Sequence, residues 1–233
     1  MKQTFVIAAI ALLTMGTPAE GASKKQKEVV TRSDRYPKMY AEQPQSIVIM
    51  PPINRTNHVE AKDYFYSTMY IPLCNKGYYV FPPMLTMEMF QTESAYDAEM
   101  FIEGNLTTFR EVLGADAAMF TIIKDWRRAN VAGILTVTVE YLLRSTKTGE
   151  TLYQREGTVT VDMSVNTSGG GLFGALADLA ATTISTAATD KIEAGRKCTA
   201  YALSDMPVGR YSAAYGTDGQ VEAGTAVFSA TVK

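Results

Sequence analysis

Histidine and cysteine are nearly absent from this chain, and their scarcity limits the chemistry that the protein can perform. Among 233 residues there are one histidine, His58, and two cysteines, Cys74 and Cys198. Zinc sites draw their ligands mainly from sets of Cys and His, and nucleophilic catalysis needs a base beside the nucleophile. No Gly-x-Ser-x-Gly elbow or paired-carboxylate motif is evident either. The sequence therefore predicts no catalytic residue, no metal ion and no cofactor.

An excess of positive charge is also missing. The chain has 22 Lys and Arg residues against 24 Asp and Glu residues, which gives a net charge of -2. Nucleic-acid-binding domains usually present a basic patch or stripe. Nucleic acid is therefore not an expected partner.

Long apolar runs are limited to the N-terminus, where Phe5 to Met15 follow Lys2 and precede small residues. This pattern is typical of a secretory signal peptide, which we assign to residues 1–21. The run is shorter than the roughly 20 apolar residues that span a bilayer, so no transmembrane span is expected after cleavage. We expect export to the periplasm. No cysteine lies near the cleavage region, so the sequence does not predict a lipobox or a lipid anchor.

Composition divides the remaining chain into three parts. Residues 22–44 begin with a lysine cluster and show little aliphatic periodicity, which favours an extended linker. Residues 45–216 contain the periodic segments and are predicted to form a single α/β domain. Residues 217–233 are mostly small and are predicted to form a flexible tail.

The predicted domain opens with a strand, a helix and a second strand. Ser46–Met50 is a continuous apolar run closed by two prolines, as expected of a strand covered on both faces. Val59–Lys76 has helical spacing and is followed by Gly77, a good C-terminal cap. Tyr78–Phe81 is aromatic and β-branched. A crossover of this length predicts a right-handed βαβ unit with parallel strands.

The rest of the domain predicts a mixed sheet with packed helices. Met119–Ile123 is a third central strand, and Ile134–Met163 forms an antiparallel hairpin because its apolar and polar residues alternate. Leu172–Lys197 reads as a long Ala-rich helix packed on the sheet. A shorter helix, Met84–Phe90, has Met84, Leu85 and Met89 in its apolar set.

Two clusters are candidate interfaces. Trp126 and Arg127 end a buried strand, where an exposed Trp beside Arg residues is a typical partner anchor. The alternative is that Trp126 caps the strand end and covers the core. Leu172 and Phe173 follow a glycine run beside the hairpin, whose open edge suits strand addition or self-association. In the alternative, they tuck under the sheet and the segment from Met206 to Gly216 covers the edge.

Two further hypotheses concern chemistry. Cys74 and Cys198 each end a predicted helix in an exported chain, so a disulfide between them is permitted, as are two thiols. Asn54, Asp125 and Arg127 follow predicted strands, where α/β sheets bind ligands. They are the candidate site if the protein is a hydrolase or a small-ligand-binding enzyme.

The chain resembles a bacterial family of lipoproteins of unknown function, typified by a neisserial surface lipoprotein that is a vaccine candidate. The resemblance covers about Tyr40 to Gly216. The segments that carry it are Ile47–Asn54, Lys62–Tyr64, Pro72–Pro82, Leu113–Ala117, Asp205–Gly209 and Tyr215–Gly216. Members of this family commonly carry a lipobox cysteine, and this sequence departs from that pattern.

The resemblance implies a periplasmic α/β domain related in architecture to the curli-secretion lipoprotein and to the N-terminal domain of the Tol-system translocation protein. It also implies association with the outer membrane, an assembly or transport-accessory role, and no enzymatic activity. The expected partners are envelope proteins, among them an outer-membrane secretion channel, or further copies of the chain. The leading hypothesis is therefore a non-enzymatic envelope protein, and the alternative is the enzyme described above.

Overall fold

The computed structural model describes residues 29–93, 95–128, 134–162 and 186–232. Its strands form one mixed sheet of seven strands. The strands are β1 Ser46–Ile49, β2 Ile53–Asn54, β3 Tyr79–Val80, β4 Ala117–Arg128, β5 Ile134–Ser145, β6 Thr151–Asp162 and β7 Val227–Val232. The helices are α1 Arg32–Arg35, α2 Pro37–Glu42, α3 Ala61–Thr68, α4 Tyr70–Asn75, α5 Pro83–Thr92, α6 Glu99–Ile102, α7 Thr107–Leu113 and α8 Thr186–Leu203. A short 3-10 helix, Asp218–Gln220, lies before β7.

The sheet confirms the predicted α/β class and its opening unit. The strand order is β3-β1-β4-β5-β6-β7, with β2 paired to β4. β1 is parallel to both β3 and β4, whereas β5 is antiparallel to its two neighbours, β4 and β6. The crossover helix is divided into α3 and α4 at Met69. Pro72 lies in the first turn of α4, where its missing N–H and its ring prevent one unbroken helix.

Apolar side chains fill both faces of the sheet. On one face, Phe65, Met69 and Tyr141 belong to a core that α3, α4 and α8 cover. On the other face, Val48, Phe120 and their neighbours pack with residues of α5 and α7. The residues 47–50 are fully buried, as the continuous apolar run of β1 predicted.

The predicted hairpin is formed by β5 and β6, and its alternation is confirmed. Leu135, Val137, Val139, Tyr141 and Leu143 are all buried in the first core. The opposite face carries cross-strand threonine pairs, with Thr138 and Thr158 hydroxyls 2.9 Å apart. Gly149 has a φ of +73° in the connecting turn, the conformation for which glycine was expected there.

The segment predicted as an extended linker contains two helices in its described part. Thr31 and Asp34 form a capping box at α1, and Pro37 begins α2. Tyr36 and Met39 are buried in the core, and the Tyr36 hydroxyl donates to Asp205 at 2.6 Å. The sequence expectation failed because these few apolar residues dock onto a distant segment and lack a periodicity of their own.

The segment predicted as a flexible tail is also ordered. β7 runs parallel to β6 and covers the edge that the hairpin was expected to leave open. The residues Val227–Val232 are β-branched, aromatic or small, a composition that suits a strand. Phe228 lies over Gly157 of β6, where a Cβ atom would overlap its ring.

Several predictions fall outside the described residues. The signal peptide, Leu172 and Phe173 belong to this group. The last helix, α8, is described from Thr186 and ends at Leu203, six residues beyond its predicted end at Lys197. In the parts of the chain that the structure describes, no helix combines the length and hydrophobicity needed to cross a membrane.

Candidate functional site

Trp126 is a core residue in the structure and is not an exposed anchor. Its side chain is 5% exposed and packs edge-on against Phe65, with ring centroids 5.9 Å apart. Tyr64 and His58 flank it at 6.4 and 6.5 Å. Trp126 therefore covers the end of the core, which was the alternative interpretation of the sequence. A β-bulge between Ile123 and Asp125 shifts the register of β4 just before it.

The residues of the enzyme hypothesis make local contacts in the structure. The Asn54 amide donates to the His58 carbonyl at 2.7 Å, and its oxygen accepts from the Thr56 backbone and hydroxyl. Asp125 and Arg127 pair with each other on the surface. Asn54 therefore closes a turn, and the other two form a local ion pair. Among the described residues, no group of three or more metal-ligating side chains occurs.

The two cysteines are free thiols in the structure. Cys198 is fully buried on α8, and its burial raises the pKa of the thiol well above its usual value. Cys74 is only half-buried. The disulfide considered from the sequence is not formed, and the structure matches the alternative of two thiols.

The most site-like feature is an apolar groove between α5 and α7, to which Phe101 of α6 also contributes. Its volume is about 820 Å³. We call it the α5–α7 groove. It is lined by Leu85, Glu88, Met89, Phe90, Thr92, Glu93, Ala95, Phe101, Thr108, Phe109, Val112 and Leu113.

Aromatic side chains form the floor of the α5–α7 groove. Phe90 and Phe109 pack edge to face with centroids 5.8 Å apart, and Phe101 meets Phe109 in the same way at 5.2 Å. Phe90 and Phe109 also belong to the core on this face of the sheet. The floor is thus held by the folded core, so the groove is preformed.

The walls of the groove expose large apolar side chains. Leu85 on α5 is 61% exposed, and Val112 on α7 is 65% exposed. Met84 and Met100 lie exposed nearby. Apolar patches of this kind on a folded surface commonly mark interaction sites, and methionines adapt readily to different partners.

The orientation of α5 differs from the sequence expectation. Thr86 and Phe90 face the sheet, whereas Met84, Leu85 and Met89 were expected to do so and face outward. The Tyr66 hydroxyl fixes this orientation, because it contacts the Pro83 carbonyl at 2.8 Å and the Thr86 hydroxyl at 3.1 Å. The spacing of Thr86 and Phe90, four residues apart on one face, is the signal that sequence reasoning missed.

Arg144 of β5 holds α6 against the sheet. Its guanidinium donates to the carbonyls of Phe101, Ile102 and Gly104 at 3.1, 2.6 and 3.2 Å. It also donates to the Gly149 carbonyl at 2.6 Å. A cation suits the C-terminal carbonyls of a helix. Arg144 therefore fixes the position of α6, whose Phe101 lines the groove.

The charged residues that line the groove are both acidic. Glu88 and Glu93 stand exposed on the α5 wall. The nearby cation Arg110 on α7 is paired with Asp116 at 3.2 Å. The groove thus combines an apolar floor with a negatively charged rim.

A second polar cluster joins the two ends of the described chain. Arg32 lies 3.7 Å from Asp205 and 3.6 Å from Asp218, and both carboxylates are buried. Lys76 donates to the Ser204 carbonyl, and burial together with Arg32 lowers its pKa to about 8. The Asp218 carboxylate accepts from the Val208 N–H at 2.9 Å. Opposite charges from distant parts of the chain meet here, although the buried Arg32 Nε makes no hydrogen bond to any described residue, so the cluster supports the fold by charge pairing.

A protein-family model described as "Putative lipoprotein GNA1162-like" matches residues 34–206. The chain belongs to this family. The matched segment includes α5, α6, α7 and every residue that lines the groove. Membership confirms the resemblance found in the sequence and indicates a protein of the cell envelope. It does not support the expectation that a lipid anchor is missing, which stays a prediction.

Individual relatives share at most a quarter of their residues with this chain over the matched segments. A lipoprotein of Neisseria meningitidis serogroup B is 25% identical over 170 residues, which cover 72% of this chain and 78% of that protein. The crystal structure of lipoprotein GNA1162 from Neisseria meningitidis has a TM-score of 0.47 at 23% identity, covering 59% of this chain and 95% of that chain. The PelC dodecamer from Paraburkholderia phytofirmans has a TM-score of 0.41 at 16% identity, covering 70% and 88%.

Proposed function

We propose that this protein is a non-enzymatic component of the cell envelope that binds a partner protein in the α5–α7 groove. The observation that carries the proposal is the preformed apolar floor beneath exposed Leu85 and Val112. Membership of an envelope lipoprotein family supports the location. The role is that of an accessory in assembly or transport, exported by the N-terminal signal peptide.

The chemistry of the groove specifies the kind of partner. An apolar floor between two helices suits the apolar face of an amphipathic helix, which inserts large side chains at helical spacing. The acidic rim formed by Glu88 and Glu93 favours Lys or Arg beside those side chains. We therefore expect a basic amphipathic segment of another envelope protein.

The same rim argues against a lipid surface as the occupant. Anionic headgroups attract basic residues, each worth about 1 kcal/mol near the surface, and repel carboxylates. Glu88 and Glu93 would lie at such a surface if Leu85 and Met89 entered the lipid. A protein segment accounts for both the floor and the rim.

The groove is tested by introducing a charge on its wall. Val112→Asp should reduce cross-linking of the protein to its partner in intact envelopes by at least about tenfold, the usual scale of a hot-spot residue. The melting temperature should stay unchanged because Val112 is exposed. Cross-linked partners are recovered by pull-down and quantified by mass spectrometry.

The matched control is Val59→Asp, since Val59 is 82% exposed and does not line the groove. It should leave cross-linking at the parental level. Equal recovery of the partner with Val112→Asp and with the parent would contradict the proposal.

The acidic rim is tested by charge reversal. Glu88→Lys combined with Glu93→Lys should weaken capture of a basic segment. Unchanged capture would show that the rim does not select the partner.

A further inference from the structure

The outer edge of β7 is a second surface, separate from the α5–α7 groove. β7 is the last strand in the sheet order and pairs with β6 from Glu156↔Val227 to Val161↔Val232. The Glu156 N–H donates to the Ala226 carbonyl at 2.9 Å. In a parallel ladder, alternate residues point their backbone groups to opposite sides. The N–H and C=O groups of Val227, Ser229 and Thr231 therefore point away from β6.

Among the described residues, this edge carries no charge, no proline and no covering strand that would hinder pairing with another chain. Natural edge strands carry Lys, Pro or inward charges, or are covered by a neighbouring element. The six residues Val227–Val232 include no charged residue and no proline. Within the described residues, no strand lies on the outer side of β7. The Val227 side chain is 72% exposed beside it.

We propose that β7 pairs antiparallel with β7 of a second copy of this chain, about a two-fold axis through Ser229. The outward N–H groups of one copy meet outward C=O groups of the other only if residues 227, 229 and 231 of one copy lie opposite residues 231, 229 and 227 of the other. A two-fold axis at Ser229 places Ser229 opposite itself and Val227 opposite Thr231. All three outward residues are used, and about six hydrogen bonds form.

The side chains suit this arrangement on both faces. Along β7 the even-numbered residues face the core and the odd-numbered residues are exposed. The proposed register pairs odd with odd and even with even, so each sheet face continues into its counterpart. Phe228 meets Ala230 of the other copy on the core face. No like charges oppose each other across the axis, since β7 carries none.

A second copy fits this edge better than the groove's partner does. The partner expected in the groove is a basic helix, whereas the edge offers hydrogen bonds to an extended strand and no acidic residue. A closed two-fold interface needs a surface complementary to itself, and this strand meets that condition. β7 also lies beyond residues 34–206, so the interface uses a part of the chain outside the family match.

The test compares the purified parent with charge variants at Ser229. The parent should change from monomer to dimer with rising concentration in sedimentation equilibrium. Ser229→Lys and Ser229→Glu should each be monomeric because like charges would meet at the axis. An equimolar mixture of the two should form a heterodimer, because the charges then attract. A parent that is monomeric at every concentration, or a mixture that stays monomeric, overturns the proposal.

Amide hydrogen exchange gives a residue-level readout that another interface would not reproduce. The N–H groups of Ser229 and Thr231 should become protected as the concentration rises, whereas those of Phe228 and Ala230 should be protected throughout by β6. Protection of Ser229 at a concentration where sedimentation shows only monomer would mean that another segment of the same chain covers the edge, and would refute the dimer. Ser229→Pro removes an outward N–H at a position where an edge strand tolerates proline, and should abolish pairing.

The groove and the edge are separable in the same assay. Val112→Asp should leave the dimer intact because α7 packs in the core on one face of the sheet through Phe109, whereas β7 packs in the core on the other face through Phe228. Loss of the dimer in Val112→Asp with persistence in Ser229→Lys would place self-association in the groove. That result would overturn the edge proposal without depending on partner capture.

Discussion

Gly77 and Gly209 lie where two backbone segments touch. The Gly209 N–H donates to the Lys76 carbonyl at 2.8 Å, and the Tyr211 N–H donates to the Gly77 carbonyl at 3.0 Å. Gly77 also has a φ of +85°, which ends α4 as expected from the sequence. A Cβ atom on either glycine would overlap the backbone of the other segment. Two of the segments that carry the family resemblance, Pro72–Pro82 and Asp205–Gly209, therefore pack on each other through these glycines.

At this residue scale, Gly209→Ala should destabilise the fold by about 1–3 kcal/mol, because its methyl group would strike the Gly77 carbonyl. Chemical denaturation measures the free energy of unfolding. The matched control is Gly219→Ala, whose Cβ would meet Ser33 and Tyr40 at an ordinary 3.5 Å. Equal stability of the two variants would show that the Gly77–Gly209 approach is not tight in solution.

At the scale of elements, the position of α6 depends on one side chain from the sheet. Arg144→Met keeps the aliphatic stem and removes the guanidinium hydrogen bonds to the carbonyls of Phe101, Ile102 and Gly104. We expect a loss of about 2 kcal/mol in the free energy of unfolding, since hydrogen bonds to charged groups contribute about 1.5–3 kcal/mol. Amide exchange around α6 should accelerate.

Arg110→Met is the control for Arg144→Met. Arg110 pairs with Asp116 at 3.2 Å, but its side chain is 45% exposed, and such surface pairs contribute at most about 1 kcal/mol. Its free energy of unfolding should stay near the parental value. If Arg144→Met behaved like this control, α6 would be held by Phe101 packing alone.

The same scale shows which elements the sequence could predict. β1 was predicted because burial on both faces gives a continuous apolar run, and β5 was predicted because burial on one face gives alternating apolar and polar residues. The predicted orientation of α5 was wrong, because the exposed side chains of Met84 and Leu85 are as apolar as those of core residues. Apolar character alone does not distinguish a side chain buried in the core from an apolar side chain exposed on the surface. The groove was hidden for this reason.

At the scale of the whole molecule, folding stability should depend on Lys76. Burial lowers the pKa of Lys76 to about 8 in the folded state, against about 10.4 when unfolded. Below pH 8 both states are protonated. Between these two pKa values the unfolded state binds more protons, so stability rises with pH. Lys76→Met should remove this rise.

The measurement is the free energy of unfolding of parent and variant from pH 7 to pH 10. Their difference isolates Lys76, because other titrating groups are common to both. Burial raises the pKa of Tyr36 and Tyr78. These two tyrosines therefore lower the free energy of unfolding only as the pH rises above the ordinary tyrosine pKa of about 10. A difference that does not change with pH would mean that Lys76 is solvated in the folded protein.

The ends of the described chain show why the whole molecule was harder to predict than its centre. Arg32 is local to a short helix, and Asp205 and Asp218 lie more than 170 residues away in sequence, yet the three meet in one buried cluster. No pattern within residues 22–44 or 217–233 reports such a long-range contact. Both segments were predicted as unstructured, and both contain helices or strands in their described parts.

Phe228 and Gly157 have a consequence for how the chain varies among relatives. A glycine inside a strand usually weakens it, because it adds flexibility and no packing. Here the ring of Phe228 occupies the space above Gly157, so the glycine is useful only while that ring is present. Gly157 lies inside residues 34–206 and Phe228 lies outside them. The two positions therefore share one constraint, and a relative without the aromatic ring has no structural reason to keep the glycine.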